Sequence, residues 1–367
     1  MSKDLDLLLA GAGHVHLGVL RLWRDAAKRP AGRIALVNDG PFAWYSGTLP
    51  GLLAGRYRAE QCRVPLQPLC EAAGITLIEG RLDGLNPATR SVTLADGRRL
   101  TASWLSFNLG SLPKTIPRTQ ASLEVLPVKP FAAFTEAWRR WQGEPEPLAI
   151  IGGGAAGVEL ALALAPRVPQ LTLLGAGRLL DGHPAALRKR ALRHLARAGA
   201  RVIEQAAVDA MEGDALLSEG VVIWRGPRAI LATGAAPLPW LREAGLAVDE
   251  RGFVRIAATL QSLSHPQIFA SGDCASLPGT PRNGVYAVRQ GPVLAANLHA
   301  ALLGEPFRPF VPQRHALALL ADGQEGALMS WAGLTAEGRL LGAWKDRLDQ
   351  GFIQRHTATS ASLPHEH

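Results

Sequence analysis

Short runs of mostly apolar residues recur along the chain, and each is followed by a turn or by a segment with helical spacing. Such runs occur at residues 5–9, 33–38 and 104–109, and again at 148–151 and 170–174. Apolar runs of this length are typical of strands buried on both faces of a parallel sheet. The pattern therefore predicts an α/β fold in which helices cover parallel sheets.

The most regular of these patterns spans residues 148–165, LAIIGGGAAGVELALALA. It has the order of a buried strand, a tight turn and a helix. In such a turn Gly152 permits the bend, Gly154 lets a diphosphate approach the backbone, and Gly157 lets the helix lie close to the strand. The free N–H groups at the helix start then face the phosphates. An ordinary βα turn and a membrane span are the alternatives; the four glycines and Glu159 argue against a span.

A second glycine-rich turn follows the first strand and departs from this pattern. Gly11 and Gly13 supply the turn and the close backbone approach, but His16 stands where the third glycine is expected. The missing glycine implies looser packing of the helix on the strand or a rotated side chain. His14 and His16 have no cysteine or carboxylate nearby at ligand spacing, so we predict no metal site.

The residues at two strand ends bear on which nucleotide each turn would bind. The strand after the first turn ends at Asn38 and Asp39, where a ribose-binding acid usually stands. The strand 170–174 ends without an acid, and Arg178 offers a partner for a 2′-phosphate. Together the two turns predict two dinucleotide sites in one chain.

The order of elements after the two turns is the same: helix, strand, meander, strand and glycine. The first meander covers residues 81–101 and its unit closes at Gly110; the second covers 208–224 and closes at Gly234. The repeat has a period of roughly 140 residues, far beyond the length of solenoid repeats. We therefore predict duplicated dinucleotide-binding domains.

Two other segments carry candidate chemistry. Residues 41–55 are rich in Gly, Ser and Thr, which is typical of a loop that lines a ligand. Residues 259–275 bring a short apolar strand to Gly272 and Asp273, whose carboxylate can accept hydrogen bonds from a ribityl or ribose hydroxyl. A purely structural Gly-Asp turn is the alternative there.

Composition narrows the class of protein. At 367 residues with 47% hydrophobic residues, the chain fits two or three domains with substantial cores. The net charge of +8 comes from Arg-rich helices such as 187–197, and no interleaving of aromatic and basic residues indicates nucleic-acid binding. Anionic cofactors or an acidic membrane surface account for the charge equally well.

Cysteine content and the N-terminus favour the cytoplasm. The three cysteines include no CxxC pair, which suits a reducing compartment. Cys62 and Cys70 are expected to be buried structural thiols. Asp4 and Asp6 stand at the start of the first apolar run, which lacks the layout of a signal peptide.

Eight motifs carry a resemblance to a known family: GAGHVH, YSGTLPGLLAG, PVKPF, GGGAAGVELALAL, LATGAAP, FASGDCA, YAVRQGPVLAANL and WKDRLD. In this order the chain resembles the pyridine nucleotide–disulfide oxidoreductase superfamily, flavoproteins with two dinucleotide-binding domains. Within it the chain looks most like the type II NADH dehydrogenases. It looks closest to the flavoprotein that occurs alone or fused in front of selenide, water dikinase. The resemblance implies FAD and NAD(P)H as cofactors.

The resemblance also implies a set of cofactor-binding residues. Gly11 and Gly13 would meet the FAD diphosphate, and Gly152, Gly154 and Gly157 would receive the nicotinamide dinucleotide. The remaining implied residues are His14, Asn38, Asp39, Ser46, Thr48, Leu49, Pro50, Gly110, Gly234, Gly272, Asp273 and Gln290.

Two residues are implied to act at the reacting rings. Glu159 is expected to approach the nicotinamide carboxamide beside the flavin. Lys129 is expected near the flavin ring, where a cation would stabilise the negative charge of reduced flavin. A solvated surface lysine is the alternative for Lys129.

The resemblance implies a FAD-binding domain at 1–115 and 255–304, with an NAD(P)H-binding domain at 116–254 inserted in it. An α/β segment at 305–367 would follow, and its polar tail, 357–367, is expected to be disordered.

Departures from the family pattern exclude some of its chemistries. The chain has no CxxxxC pair near residues 40–60, so disulfide reduction of the glutathione- and lipoamide-reductase kind is not supported. It has no cysteine between Ala73 and Phe269 and none after Cys274, so sulfide:quinone reduction is not expected.

The C-terminal apolar residues Leu340, Leu341, Trp344, Leu348 and Phe352 fall at helical spacing. In the type II dehydrogenases such helices dock on the membrane and reach quinone, and this helix offers the same interfacial contact. The alternatives are a cover on the flavin domain and a contact between the subunits of a homodimer. We expect a cytoplasmic protein, with peripheral membrane contact through this helix left open.

Three functions fit these residues. In the first, NAD(P)H reduces FAD and the electrons pass to a quinone or another small-molecule acceptor. The second is a reductase in selenium or sulfur metabolism. The third is a non-catalytic flavin-binding redox sensor, which the missing acid after Leu174 keeps open.

Overall fold

The computed structural model describes residues 5–120, 122–143 and 146–357; the predicted disordered tail lies outside them apart from Thr357. In chain order the strands are β1 (Leu5–Ala10), β2 (Ile34–Asn38), β3 (Phe42–Trp44), β4 (Arg63–Pro65), β5 (Thr76–Glu79), β6 (Leu82–Asn86), β7 (Ser91–Leu94), β8 (Arg99–Phe107), β9 (Leu112–Pro113), β10 (Arg118–Thr119), β11 (Glu124–Pro127), β12 (Leu148–Ile151), β13 (Leu171–Leu174), β14 (Arg201–Ile203), β15 (Ala210–Glu212), β16 (Ala215–Ser218), β17 (Val221–Arg225), β18 (Arg228–Leu231), β19 (Ala235–Ala236), β20 (Val254–Arg255), β21 (Ile268–Ala270), β22 (Ala275–Ser276), β23 (Ala318–Ala321), β24 (Ala327–Trp331) and β25 (Leu334–Gly338).

The helices are α1 (His14–Trp23), α2 (Leu49–Leu53), α3 (Leu66–Ala72), α4 (Phe131–Trp141), α5 (Ala155–Leu164), α6 (Ala185–Arg197), α7 (Pro239–Glu243), α8 (Gly284–Leu303) and α9 (Arg339–His356). These elements confirm the predicted strands and helices around both glycine-rich turns. One difference lies at 81–109. The last strand of the predicted meander and the strand expected at 104–109 are a single strand, β8, which pairs antiparallel with β7 and then parallel with β1.

Two parallel sheets repeat the same strand order. In the first, β5, β2, β1 and β8 lie side by side, and β21 pairs with β8. In the second, β14, β13, β12 and β18 do the same, and β11 pairs with β18. Each glycine-rich turn follows the central strand of its sheet, β1 or β12. The α/β class and the two Rossmann-like units are therefore confirmed, whereas the predicted domain boundaries remain a prediction.

The central strands explain why these segments form parallel sheets. Leu7, Leu8, Leu9 and Ala10 of β1 are completely buried, and all four residues of β12 are buried as well. A strand with apolar side chains on both faces is stable only where helices cover both sides of its sheet. In the first unit α1 and α8 cross at Gly18 and Gly291, whose missing side chains allow close approach.

The C-terminal segment adds a three-stranded antiparallel sheet, β23–β24–β25, followed by α9. The sequence predicts an α/β segment at 305–367 but does not define its strands. Helix α9 turns back onto the first unit, where Phe352 and Ile353 belong to the same buried cluster as β1. In the part of the chain that the structure describes, no helix is long and apolar enough to cross a membrane.

Candidate functional site

The first glycine-rich turn is held by one buried amide, that of Asn108 at the end of β8. Its Oδ1 accepts hydrogen bonds from the N–H groups of Val15 (3.0 Å) and His16 (3.2 Å), and its Nδ2 donates to Ser271 O (2.9 Å). A Cβ on Gly13 would overlap this amide. The glycine is therefore required by protein packing at this turn.

His16, in the position of the missing third glycine, is buried and hydrogen-bonded at both ring nitrogens. Nδ1 lies 2.6 Å from Gly11 O and Nε2 lies 2.8 Å from Ser106 Oγ. Because a carbonyl only accepts, Nδ1 carries the proton and Nε2 accepts from Ser106. Burial lowers the pKa of His16 to about 4, so the ring is neutral near pH 7. The imidazole therefore links the turn to β8.

At the end of β2 the two candidate ribose ligands, Asn38 and Asp39, have different surroundings. Asn38 Oδ1 accepts from Ala12 N (3.0 Å), and its Nδ2 donates to Gly40 O (2.8 Å), so its amide fastens the turn. Asp39 is exposed beside it. The carboxylate of Asp39 is therefore the freer of the two groups to meet a ribose.

Lys129 and Asp273 meet in an ion pair of 2.9 Å although 144 residues separate them. Lys129 Nζ also donates to Ser111 Oγ (2.9 Å). Burial acts to raise the pKa of Asp273, but Lys129, His14 and Ser111 together outweigh it and lower that pKa. Burial lowers the pKa of His14. The structure thus brings three of the predicted residues, His14, Lys129 and Asp273, into one electrostatic cluster.

Gln290 is tied to the same segment. Its buried side chain accepts from Gly272 N through Oε1 at 2.8 Å. Gly272 has a φ of 66°, and a Cβ there would overlap the Asn108 amide. The predicted residues Gly272 and Gln290 therefore fix the backbone that presents Asp273. No atom lies within 4 Å of a Cβ built on Gly110, so there is open space at this residue, next to the cluster.

Most of the loop residues implied to lie near the isoalloxazine are buried in the protein. Ser46 is exposed, whereas Thr48, Leu49 and Pro50 are buried. The Thr48 hydroxyl donates to Tyr45 O at 2.6 Å. Of the four predicted residues, only Ser46 presents a side chain to solvent.

The second glycine-rich turn is held by direct packing of its helix, and the start of that helix is open. A Cβ on Gly157 would overlap Gly152 O, so helix α5 lies directly on the turn. No side chain of the described residues caps α5, and no atom lies within 4 Å of a Cβ built on Gly154 or Gly234. Unpaired N–H groups and free space at a helix N-terminus suit an anionic diphosphate.

Glu159 lies in a buried group of charged side chains that includes two residues of α9. Its Oε1 accepts from Ala321 N (2.8 Å) and lies 3.6 Å from Lys345 Nζ. Lys345 also donates to Asp349 (3.0 Å) and to Gly47 O (3.4 Å). Burial raises the pKa of Glu159, and the two carboxylates keep the pKa of Lys345 above its usual value despite burial.

Arginine side chains supply the positive charge at the end of β13, where the second ribose is expected. Glu204, from the neighbouring strand end, accepts from Leu179 N (2.6 Å) and forms an ion pair with Arg188. The hydrogen bond from Arg188 lowers the pKa of Glu204 most strongly, and the charges of Arg188 and Arg178 lower it further. The Glu204 carboxylate at this edge is thus already paired, and Arg178 remains exposed.

A cavity of about 500 Å³ lies between α1, α8 and α9. Its residues are His14, Gly18, Arg21, Val288, Arg289, Pro292, Val293, Phe310, Val311, Phe352, Arg355 and His356. His14 thus belongs both to this cavity and to the cluster around Asp273. Small-molecule sites are typically 300–1,000 Å³.

Comparison with known proteins identifies the family. A family model described as pyridine nucleotide-disulphide oxidoreductase matches residues 11–291, more than half of the chain. The chain belongs to this family. Its members bind FAD and NAD(P)H. The fit of the second turn to such a nucleotide rests on the free helix start of α5 and the room at Gly154 and Gly234.

Individual relatives of the family show only partial likeness. The chain is 30% identical to mercuric reductase of Acidithiobacillus ferrooxidans over 54% of its own length and 39% of that protein. It is 28% identical to demethylphylloquinone reductase NdbB of Synechocystis over 52% and 50%. The structure of sulfide:quinone oxidoreductase from Aquifex aeolicus matches 96% of this chain and 92% of its own with a TM-score of 0.77, at 18% identity. The chain thus spans half or less of these two curated relatives, and the structural match shows the fold.

The cysteines of this family member are free and buried: Cys62, Cys70 and Cys274. The predicted burial of Cys62 and Cys70 is thereby confirmed. Burial raises the pKa of Cys70 to about 12 and that of Cys274 to about 11, so both stay thiols near neutral pH. Neither has the thiolate character that disulfide chemistry needs.

Sequence reasoning missed several residues that build the site, chiefly Asn108, Ser111, Lys345 and Asp349. Asn108 and Ser111 follow β8, and polar residues at the carboxyl ends of parallel strands are a signal that was available. Lys345 and Asp349 belong to the WKDRLD motif, but the contact of Lys345 with Glu159 depends on the path of α9.

Proposed function

We propose that this protein is an FAD-dependent oxidoreductase that takes a hydride from NAD(P)H and passes two electrons to a quinone or another small acceptor. In the balanced reaction NAD(P)H and one proton supply two electrons and two protons, and a quinone takes them up as a hydroquinone. Bound FAD supplies the two-electron carrier between the two half-reactions. The residues of the chain bind, orient and electrostatically tune the reactants.

The observation that carries this proposal is the position of Lys345 between the two predicted nucleotide units. Its Nζ lies 3.6 Å from Glu159 Oε1 on the helix of the second glycine-rich turn and 3.4 Å from Gly47 O in the loop assigned to the flavin. The residues expected near the nicotinamide and those expected near the isoalloxazine therefore converge. Such convergence is what hydride transfer between two bound nucleotides requires.

The FAD assignment is supported by the first turn. Gly13 and His14 lie at the start of α1, while Asn108 accepts only the next two N–H groups, those of Val15 and His16. Lys129 Nζ adds a cation beside Asp273. We assign Asp273 to the ribityl–diphosphate region and Lys129 to the vicinity of the ring.

The strand end at Gly175 favours NADPH over NADH as the donor. No carboxylate of the kind that holds a free 2′-hydroxyl stands at the end of β13, and Glu204 is neutralised by Arg188. Arg178 is available to a 2′-phosphate. The same observation supports the redox sensor as an alternative, since a sensor would not be reduced rapidly by either nucleotide.

We place the acceptor in the cavity between α1, α8 and α9, because His14 lines this cavity and also interacts with Asp273. NdbB is a quinone reductase by name, and a quinone fits the volume of about 500 Å³. A small selenium or sulfur compound is the alternative acceptor. It is supported only by the likeness to the flavoprotein fused to selenide, water dikinase.

Anaerobic mixing with each nucleotide tests the proposal. Rapid loss of the visible flavin absorbance on addition of NADPH or NADH supports the oxidoreductase, and the faster nucleotide names the donor. Reoxidation by menadione, but not by selenite or polysulfide, supports a quinone acceptor. A flavin that neither nucleotide reduces would favour the sensor.

We also propose that α9 touches a membrane surface. Leu340 is 88% exposed, and Trp344 and Leu348 are each 41% exposed on the same helix, with the exposed Trp331 and Leu334 on the adjacent hairpin. Apolar side chains flanked by basic ones are typical of interfacial helices. Co-sedimentation with anionic lipid vesicles tests this, with Leu340→Ser/Trp344→Ser/Leu348→Ser as the variant expected to stay in solution. A homodimer contact through the same face would instead appear as a concentration-dependent change in mass that the variant abolishes.

A further inference from the structure

The cavity between α1, α8 and α9 has a charge pattern that a neutral quinone does not explain. Three of its residues, Arg21, Arg289 and Arg355, are exposed, and none of the residues that line it is an aspartate or glutamate. None of these arginines has an ion pair or hydrogen bond among the described residues. Three unpaired guanidinium groups around one cavity favour an anion.

The inner part of the cavity is aromatic. Phe352 is packed between His14, with ring centroids 5.5 Å apart, and His356, at 4.2 Å. Phe310, which is 5% exposed, lines the same space. Flat, apolar walls of this kind suit an aromatic ring better than a branched or strongly hydrated ligand.

A buried polar atom gives an independent sign of a ligand. His356 is 4% exposed, and its Nδ1 lies 2.7 Å from Phe352 O, so Nδ1 carries the proton. Its Nε2 is then an acceptor, and it is buried without a partner among the described residues. A buried acceptor without a donor is costly, and a ligand hydroxyl or a water brought with the ligand would satisfy it.

We infer that this cavity binds an anionic aromatic molecule and that, given the proposed function, the preferred electron acceptor is a quinone that carries a carboxylate or sulfonate. The guanidinium groups at the rim hold the anionic substituent, and the histidine and phenylalanine rings hold the ring system. As the acceptor is reduced, two electrons and two protons convert the quinone to its hydroquinone, and the anionic substituent is unchanged. The inference rests on the proposed function only for the redox part; binding stands without it.

Binding is tested on the FAD-loaded protein by titration calorimetry with two redox-inert probes, 2-naphthoate and 2-naphthalenemethanol, which share a ring and differ in charge. We expect the carboxylate to bind about tenfold more tightly, since several exposed charge pairs each add a modest increment. This preference should shrink as salt is raised, because the arginines are exposed. Equal affinity, or no binding of either probe, would overturn the inference. Tighter binding of laurate than of 2-naphthoate would assign the cavity to a lipid anion and overturn it too.

A variant with Arg21→Gln, Arg289→Gln and Arg355→Gln isolates the rim. The ratio of the two affinities should fall from about ten to about one. Arg347→Gln is the matched control, because Arg347 is exposed on the same helix as Arg355 but does not line the cavity. An unchanged ratio in the triple variant, with an unchanged melting temperature, would contradict the assignment of the anion to the rim.

The kinetic arm separates the two proposals. With NAD(P)H as donor, naphthoquinone sulfonate should show a KM about tenfold below that of menadione. Equal KM values would overturn the anionic acceptor while leaving quinone reduction in place. If neither quinone reoxidises a flavin that NAD(P)H has reduced, the proposed acceptor class fails, and the calorimetry still decides whether the cavity binds aromatic anions.

Discussion

His16 Nδ1 donates a hydrogen bond to Gly11 O at 2.6 Å, across the turn where the corresponding residue of the second unit is Gly157. In the second unit the helix lies so close to its turn that a Cβ on Gly157 would overlap Gly152 O. In the first unit a neutral imidazole fills that place and links the turn to Ser106 on β8. The two copies of one turn are therefore stabilised differently, one by contact and the other by hydrogen bonds.

This imidazole should make the stability of the protein sensitive to acid. Its pKa is lowered to about 4 in the folded state, so the unfolded chain binds a proton first as the pH falls below about 6.5. Between those values, protonation of His16 in the unfolded chain lowers the free energy of unfolding, by up to about 3 kcal/mol at the acid end. Urea unfolding of wild type and His16→Gln across this range should show a shallower loss for the variant.

The matched control for that experiment is His315→Gln, because His315 is exposed. It should follow the wild-type dependence on pH. Identical slopes for wild type and His16→Gln would show that this ring does not stay neutral in the folded protein.

Two glycine-to-alanine variants should separate fold from nucleotide binding. Gly13→Ala places a Cβ against the Asn108 amide and should cost about 1–3 kcal/mol of stability. Gly154→Ala meets no protein atom within 4 Å and should leave the melting temperature unchanged, yet weaken NAD(P)H binding at least about tenfold. Thermal unfolding and nucleotide titration measure both; unweakened NAD(P)H binding in Gly154→Ala would remove the second turn from the nucleotide site.

Removal of the Lys129 charge should change the flavin potential. A cation near the ring stabilises reduced flavin, so Lys129→Gln should lower the two-electron midpoint potential by about 30–60 mV, which corresponds to about 1.4–2.8 kcal/mol. Lys129→Arg should retain most of the wild-type value. Lys114→Gln, at an exposed lysine, serves as the control in a spectroelectrochemical titration. If Lys129→Gln keeps the wild-type potential, Lys129 only positions Asp273.

Glu159 should hold the C-terminal segment on the second unit. Glu159→Ala leaves Ala321 N without its acceptor and removes one of the two carboxylates around the buried Lys345, at an expected cost of about 2–4 kcal/mol. Glu159→Gln keeps an acceptor for Ala321 and should lose less. Limited proteolysis of residues 305–357 and thermal unfolding measure the effect. Wild-type resistance in Glu159→Ala would show that this contact does not hold the segment.

Local patterns were sufficient to predict the elements of both units. Apolar runs and glycine spacing fix β1, β12, α1 and α5, because burial on both sheet faces and the tight turn are properties of neighbouring residues. The single strand β8 was divided in two because its polar first half and apolar second half read as separate elements, although one strand serves two different pairings.

Contacts between distant segments could not be predicted in this way. Lys129, which follows β11, meets Asp273, which follows β21, only in the folded chain. Lys345 meets Glu159 because α9 also reaches helix α5 of the second unit. The role of Asn108 depends on three strand ends that converge in space. No periodicity or spacing within one segment encodes such a meeting point.

The central claim is that one chain holds FAD and NAD(P)H so that a hydride passes between them. Stopped-flow mixing of the FAD-loaded protein with NADH and with NADPH, without oxygen, tests this most directly. The account predicts rapid loss of the visible flavin absorbance with at least one nucleotide, and a much slower loss in Gly154→Ala. A protein that takes up no FAD, or whose flavin stays oxidised with both nucleotides, would contradict it.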